Sequence, residues 1–421
     1  MEVAHYNQAP RPSPVPSSII WRRRLRPAYV RSELARIGAK ISRRIRRPER
    51  RVVSLEPVGR ERGRALVSYI IDGLLVDPAQ PLPRSHTNYW ESRQIARTFA
   101  ELGYRTDVIH WTNAEFTPAA PYDVFVDVRL NMERLAPLVG DDCVKIQHIE
   151  TAHHAFHNPA QLARLEALAE RRGVEIQPRK MLEENRAIET ADWGVAVGND
   201  FTIGTYAHAG KEVLRVPISV PREYPWPDAK DFEACRRRYI WFGSGGLVHK
   251  GLDLVLEAFA GLPDHQLVVC GPIHVERDFE AAYARELYAT PNIHTVGWVD
   301  VAGERFRAIC ERSLGVVYPS CSEGGGGSVI TCMHAGLLPI VTHEASVDLD
   351  GFGTRIGEAT VEAVRESVLA ASDRPPERSR EMAHAAWSHV RAHHTRETFA
   401  RDHRDAIARI LGAAGDRGAA R

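Results

Sequence analysis

The sequence predicts an α/β protein built from two βα domains in tandem, and three observations carry that expectation. Short apolar runs alternate with amphipathic stretches twice along the chain, first from about residue 61 and again from residue 239. Most of these runs are continuously apolar rather than alternating, as in strands of a parallel sheet covered on both faces. Between the two series lies PREYPWPDAKDFEACRRR (221–238), whose prolines and charges mark a boundary. A chain of 421 residues is also longer than one compact core usually organises.

Composition is that of a soluble globular protein, 44% hydrophobic and 26% charged. The net charge of +1 hides an asymmetry: residues 1–60 hold 15 Lys/Arg against 4 Asp/Glu, which leaves 40 against 50 for the rest. A basic arm therefore precedes a mildly acidic body. The six cysteines form no CxxC pair, so buried free thiols are expected, with neither a zinc site nor a disulfide framework. No leading apolar run resembles a signal peptide, and no stretch of about 18 apolar residues is long enough to cross a bilayer. The expected location of the body is cytoplasmic.

Taken in order, residues 1–60 read as a basic, partly disordered arm. Residues 1–20 are rich in proline and serine. Val30, Leu34, Ile37, Ile41 and Ile45 then recur at helical spacing with arginines between them. A basic amphipathic helix within residues 22–51 suits an anionic membrane surface, which would make the protein peripheral on the inner face of a membrane. Docking on the protein's own body or nucleic-acid binding would give the same pattern; no nucleic-acid partner is expected.

Residues 61–220 form the first domain, with strands at ALVSYII, RTDVIHW, YDVFVDV, VKIQHIE, WGVAVG and VLRVPISV, and a helix at NYWESRQIARTFAELG ending at Gly103. Residues 239–375 form the second. Its strands are YIWFGS, HQLVVCGP, NIHTVGWV and LGVVYPS, and its helices GLDLVLEAFAGL, FEAAYARELYA and VAGERFRAICER. Residues 376–421 read as a polar helical segment.

The stretch CSEGGGGSVIT (321–331) contains a sequence typical of flexible spacers, yet it lies inside a strand–loop–helix–strand unit. LGVVYPS precedes it, SVITCMHAG reads as a helix capped by Ser328 and ended by Gly336, and LLPIVT returns as a strand. A glycine turn that opens a helix after a parallel strand offers free amides and the positive end of the helix dipole. Phosphate or sugar hydroxyls fit there, at the ligand edge of an open α/β sheet.

Four segments carry a family resemblance: WFGSGGLVHKG with Lys250 and Gly251, PSCSEG with Glu323, TNYWESRQIARTFAELGY and ETADWGVAVGN. Together they resemble the group 1, family 4 glycosyltransferases, retaining enzymes of the GT-B fold. The resemblance implies two Rossmann-like domains facing across a cleft, the first on the acceptor side and the second holding a nucleotide-sugar. It implies that Lys250 contacts the donor's diphosphate and that Glu323 holds hydroxyls of the transferred sugar. His148, at the end of VKIQH, would face the donor sugar. Gly245, Gly246, Ser322, Gly324, Gly325, Gly326, Gly327, Ser328 and Thr331 would surround the donor. No metal or cofactor is implied.

The acceptor would be a glycan or a lipid-linked glycan, in cell-surface polysaccharide or glycoconjugate synthesis. Two positions depart from the family pattern: Thr331 stands where a second glutamate is common, and Ser244 with two glycines where an arginine is usual. A different GT-B chemistry such as nucleotide-sugar epimerisation, or a non-catalytic nucleotide-sugar or glycan-binding protein, are the alternative readings.

Other constellations compete less well. HIETAHHAFHN gathers His148, Glu150, His153, His154 and His157, and the spacing of His153 and His157 would suit two ligands on one helical face. No HExxH accompanies them. Asp348-Leu349-Asp350 is a D-x-D in an acidic chain and reads as loop capping. Cys321 and Ser322 lack the surroundings of a nucleophile elbow. Trp90 and Glu91, at the start of a helix, face either the cleft or the core.

Overall fold

The computed structural model describes residues 50–77, 79–84 and 86–419, so nearly all of the basic stripe at 22–51 lies outside the described residues. The continuous apolar runs become strands of two sheets. The first holds β1 (Val52–Leu55), β2 (Gly63–Tyr69), β3 (Tyr104–His110), β4 (Val124–Asp127), β5 (Val144–Ile149), β6 (Trp193–Ala196) and β7 (Val213–Arg215). Their spatial order is β1-β3-β2-β4-β5-β6-β7. The second holds β8 (Arg238–Phe242), β9 (Gln266–Cys270), β10 (Ile293–Gly297), β11 (Gly315–Tyr318), β12 (Leu338–Val341) and β13 (Thr354–Arg355). Its order is β10-β9-β8-β11-β12-β13.

Every pairing is parallel except β1 with β3. β4, β11 and β12 are buried along their whole length, as strands covered on both faces must be. β1, read from sequence as part of the arm, is instead an edge strand whose burial alternates between exposed and half-buried positions.

The topology fixes where a ligand can sit. In the first sheet the chain passes from β2 to β3 on one side and to β4 on the other. In the second it passes from β8 to β9 on one side and to β11 on the other. Each reversal opens a crevice at the C-terminal strand ends, the usual ligand position in open α/β sheets.

Seven longer helices matter below: α1 (Asn88–Glu101), α2 (His154–Arg172), α3 (Leu252–Ala260), α4 (Gly327–His334), α5 (Val361–Ser372), α6 (Pro376–His393) and α7 (Arg396–Ala419). α1 buries Ile95, Ala96, Phe99 and Ala100, its apolar stripe, in the first core, and the chain turns at Gly103 with φ 92°. FEAAYARELYA, expected as one helix, is two short ones, Arg277–Ala282 and Ala284–Tyr288, broken at Tyr283.

Three segments tie the halves together. α2 follows β5 of the first sheet, yet Leu168 and, just beyond the helix, Ile176 belong to the core of the second. The proline-rich stretch between the sheets also packs there, through Tyr224, Phe232 and Cys235. The closing helices divide: α6 places Met382, Ala383, Ala386 and Val390 in the second core, while α7 returns Phe399, Ile407 and Ile410 to the first. All six cysteines are buried and free. Among the described residues no helix is long and apolar enough to cross a membrane.

Candidate active site

The two crevices face each other across a cavity of about 480 Å³. The first sheet contributes Tyr69, Arg129 and Glu150 to its wall; the second contributes Gly243, Lys250 and Glu323. These residues sit at or a few positions beyond the expected strand ends, and the fold brings them together from positions as far apart as 69 and 323.

Lys250 and Glu323 reach one another because two loops close on each other. After β8 the chain makes a tight turn, with Lys250 N–H donating to the Gly246 carbonyl (2.9 Å). Gly251 follows at φ 69°, and a Cβ there would stand 2.4 Å from the Pro319 carbonyl oxygen. Only glycine lets this turn approach the end of β11 so closely. Lys250 Nζ then donates to Glu323 Oε1 (2.6 Å) and to the Tyr318 hydroxyl (2.7 Å). Tyr318 O–H and Ser320 O–H also donate to Oε1, at 2.8 and 3.0 Å.

Burial alone would raise the Glu323 pKa, but Lys250 and the other donors outweigh it and hold the carboxyl at about 2. Among the described residues every hydrogen bond to this carboxylate falls on Oε1. Oε2 is left for whatever enters the cavity. Next to the pair, burial pushes His249 down to about 3, so its ring is neutral while it bonds the Ser322 carbonyl.

The glycine loop leads from Glu323 into α4. Gly326, at φ 58°, occupies the N-cap position, so Ser328 is not the cap and lies in the first turn. Among the described residues the amides of residues 324–328 donate to no backbone or side-chain acceptor. They form a cradle at the positive end of the helix. The glycines also serve a second purpose. A Cβ on Gly324 would stand 2.0 Å from the Glu150 carbonyl oxygen, and one on Gly325 would stand 2.2 Å from that of Val197. The second-domain loop is pressed against the ends of β5 and β6, a contact that permits no side chain.

Other expected site residues fall differently. Ser322 and Thr331 line the cavity, but the Thr331 hydroxyl donates back to the Gly327 carbonyl (2.7 Å), and Ser322 Oγ bonds His157 Nδ1 (3.0 Å). Gly245 and Gly246 are not in the cavity wall. The amides of Gly246 and Leu247 donate to the buried Glu276 carboxylate, an internal anion, so the Gly246 amide is not free for the donor.

His148 is likewise outside the wall. It is 1% exposed, meets the Tyr69 ring edge-on at 5.0 Å, and is held neutral by burial with its pKa near 4. Beyond the strand end, Glu150 faces the cavity in its place. Its carboxylate accepts from Tyr69 O–H (2.8 Å) and Arg129 (3.4 Å).

The histidine cluster separates. His157 turns to Ser322 and the Lys180 carbonyl. His153 accepts from Ala155 N–H as the N-cap of α2, and its ring faces His208. His153, Glu189 and His208 place metal-ligating atoms within 4.8 Å of one another, outside the cavity wall. The D-x-D works as a tie between the halves, because Asp348 accepts from Asn199 (3.0 Å) and Arg215.

Among the wall residues that carried no signal in the sequence are Lys180 from the loop after α2, His86 from the loop before α1, and Trp298 beyond β10. Glu91 is in the wall as well, and Trp90 packs edge-on against Phe399 at 5.8 Å. Burial raises the Glu91 pKa to about 7, against two hydrogen bonds from Ser219 that lower it.

Comparison with known proteins agrees with this geometry. Residues 236–348 match the family described as Glycosyl transferases group 1. No curated protein matches the sequence. Among solved structures, sucrose-phosphate synthase from Thermosynechococcus elongatus is similar at 14% identity with a TM-score of 0.59, covering 83% of this chain and 100% of that one. WaaG, a glycosyltransferase involved in lipopolysaccharide biosynthesis, is similar at 18% identity and a TM-score of 0.50, covering 82% and 99%. Anabaena HepE in complex with UDP and glucose is similar at 10% identity and 0.50, covering 83% and 99%. The chain spans about half the length of the Staphylococcus aureus TarM structure that it also matches (11% identity, TM-score 0.48, 66% of this chain and 54% of that one). The fold is GT-B, and residues 236–348 match the group 1 glycosyltransferase family.

Proposed function

We propose that this chain is a retaining glycosyltransferase that moves a sugar from a nucleotide-sugar to a glycan or lipid-linked acceptor. One observation carries the reading: a lysine–glutamate pair and a cradle of unbonded amides face one cavity, at the switch points of two Rossmann-like sheets. The group 1 domain and the UDP and glucose held by the Anabaena neighbour support it.

The chemistry follows from the parts. Breaking the bond between sugar and diphosphate leaves negative charge on the phosphate. An ammonium has three donors; Glu323 and Tyr318 take two from Lys250, and the third is available to the phosphate. The amides at the start of α4 supply the remainder of the stabilisation, fixed in place before the charge develops. Glu323, ionised and anchored through Oε1, directs Oε2 at sugar hydroxyls and sets the anomeric carbon's position.

Glu150 and Glu91 on the opposite wall are already engaged by Tyr69, Arg129 and Ser219. The family resemblance implies that the departing phosphate takes the acceptor's proton, and no step is assigned to a metal. Trp298, 56% exposed on the rim, offers a face for the nucleotide base. The basic stripe at 22–51 would hold the enzyme at an anionic membrane surface where lipid-linked acceptors are presented.

The test is calorimetry with UDP-, GDP- and ADP-sugars, followed by turnover with the donor that binds and NMR of the product's anomeric configuration. Binding, transfer and a retained configuration are expected. Glu323→Gln should lower kcat by about 100-fold or more, the scale of losing one preorganised transition-state contact. Near-normal activity of that variant would remove Glu323 from the site. Donor turnover without acceptor would indicate an epimerase, binding without turnover a binding protein, and no binding by any nucleotide-sugar would overturn the reading.

A further inference from the structure

We infer that Lys180, delivered from the first half of the chain, is a second cation for the donor's diphosphate, standing beside Lys250. The inference rests on the nucleotide-sugar reading above and adds to it a residue that no motif marks.

Lys180 lies in the loop after α2, and that loop is fixed in the frame of the second domain. Arg179 pairs with Asp278 (2.6 Å), and the Gln177 amide donates to the same carboxylate (3.0 Å). The Lys180 carbonyl accepts from His157 Nε2–H (2.7 Å), while His157 Nδ1 accepts from Ser322 Oγ–H (3.0 Å), one residue before Glu323. Asn158 holds Leu182 through both its amide N–H and its carbonyl, each at 2.9 Å. The backbone is thus pinned on both sides of Lys180, to Asp278 before it and to Asn158 of α2 after it, with His157 linking it to Ser322.

Its side chain has one route into the cavity. The stem crosses Gly246: a Cβ on that glycine would stand 2.6 Å from Lys180 Cγ and 3.3 Å from Cε. Gly246, whose own amide is taken by Glu276, therefore contributes space rather than a ligand contact. The lysine then lines the cavity with Lys250 and Glu323. Among the described residues its ammonium makes no hydrogen bond or ion pair, whereas Lys250 has Glu323. Desolvation and the nearby Lys250 charge both lower the Lys180 pKa. Two like charges lining one cavity are stabilised by an anion that enters it. A diphosphate at the start of α4 supplies that anion.

The experiment uses the full chain and calorimetry at about 0.15 M salt, where exposed charges are screened and close contacts persist. UDP, GDP and ADP are compared with their monophosphates on wild type, Lys180→Met and Lys180→Arg. Lys180→Met should weaken the nucleoside diphosphate by about 10- to 100-fold, the value of a charge-assisted contact, and change monophosphate binding less than about twofold. Lys180→Arg should restore most of the loss. Diphosphate binding by Lys180→Met within twofold of wild type would overturn the inference while leaving the donor reading intact. Equal weakening of mono- and diphosphate, with a lowered Tm, would assign Lys180 to loop structure and also overturn it. Absence of nucleoside diphosphate binding by wild type would remove both the inference and the reading beneath it.

Discussion

Glu91 is 1% exposed, yet its carboxylate lies against the cavity and accepts from Ser219 N–H (2.8 Å) and O–H (2.9 Å). Burial raises its pKa from 4.5 to about 7. The folded protein therefore holds this proton to higher pH than the unfolded chain does. The associated stability is fully present below pH 4.5 and is lost as pH rises through 7. Glu91→Gln keeps an acceptor for Ser219 and removes the titration. Its stability relative to wild type should rise between pH 5 and 8 by up to roughly 3 kcal/mol, and stay level below pH 4. Urea unfolding at pH 4, 6 and 8 measures this; parallel pH profiles for the two proteins would rule it out. Residue-level legibility followed locality. Lys250 and Glu323 sit in compact motifs, so their meeting at one cavity was readable from sequence. His148 was misplaced because a sequence shows where a strand ends only to within a residue or two, and Glu150 lies just beyond the end of β5. Lys180 was unreadable: its meaning depends on Gly246, 66 positions away, and on the missing guanidinium where Ser244 stands.

Among the elements, the glycine loop and α2 show how far a local pattern reaches. Strand, glycine turn and helix were legible as a unit because four glycines between a buried strand and a helix start are a local signal. That Gly324 and Gly325 also face the ends of β5 and β6 follows from domain packing, which no local pattern encodes. In α2 the sequence shows a helix but not which core it joins. Its charges decide that. Arg171 donates to Asp253 (2.9 Å) and Glu257 (2.8 Å), and Arg172 donates to Glu286 (2.8 Å), all in the second domain. Asp253 is fully buried, so Arg171→Met leaves a desolvated carboxylate with one of its cations gone. Arg171 itself is 27% exposed, which reduces the cost below that of a fully buried pair. A loss of about 2 kcal/mol is expected in urea unfolding at pH 7. A loss below about 0.5 kcal/mol would mean that the apolar contacts of Leu165 and Leu168, not the ion pairs, hold the strap.

On the scale of the molecule, the two Rossmann-like halves are joined by exchange. α2 goes from first to second, and α7 goes back. The return has direct bearing on the cavity. Phe399 packs edge-on against Trp90, Arg396 lies over the same indole at 5.3 Å, and Trp90 precedes Glu91 in the wall. Ile407 and Ile410 are buried with Ile95 and Phe99 of α1 in the same core. Ending the chain after His394 removes three large buried apolar side chains, each worth about 1.5–3 kcal/mol of transfer free energy. The whole loss falls on the first domain, because α6 and the second core remain. Scanning calorimetry should therefore show one transition for the full chain and, for the truncated protein, the first domain melting ahead of the second. The nucleoside diphosphate found to bind wild type should raise the later transition more than the earlier one, since Lys250, Glu323 and the α4 amides all belong to the second domain. The Lys180 loop, pinned to Asp278 and Ser322, should melt with that later step despite its place in the sequence. A single transition at the wild-type temperature would show that α7 contributes nothing to the first core; diphosphate protection confined to the earlier step would place the anion site on the wrong side of the cleft.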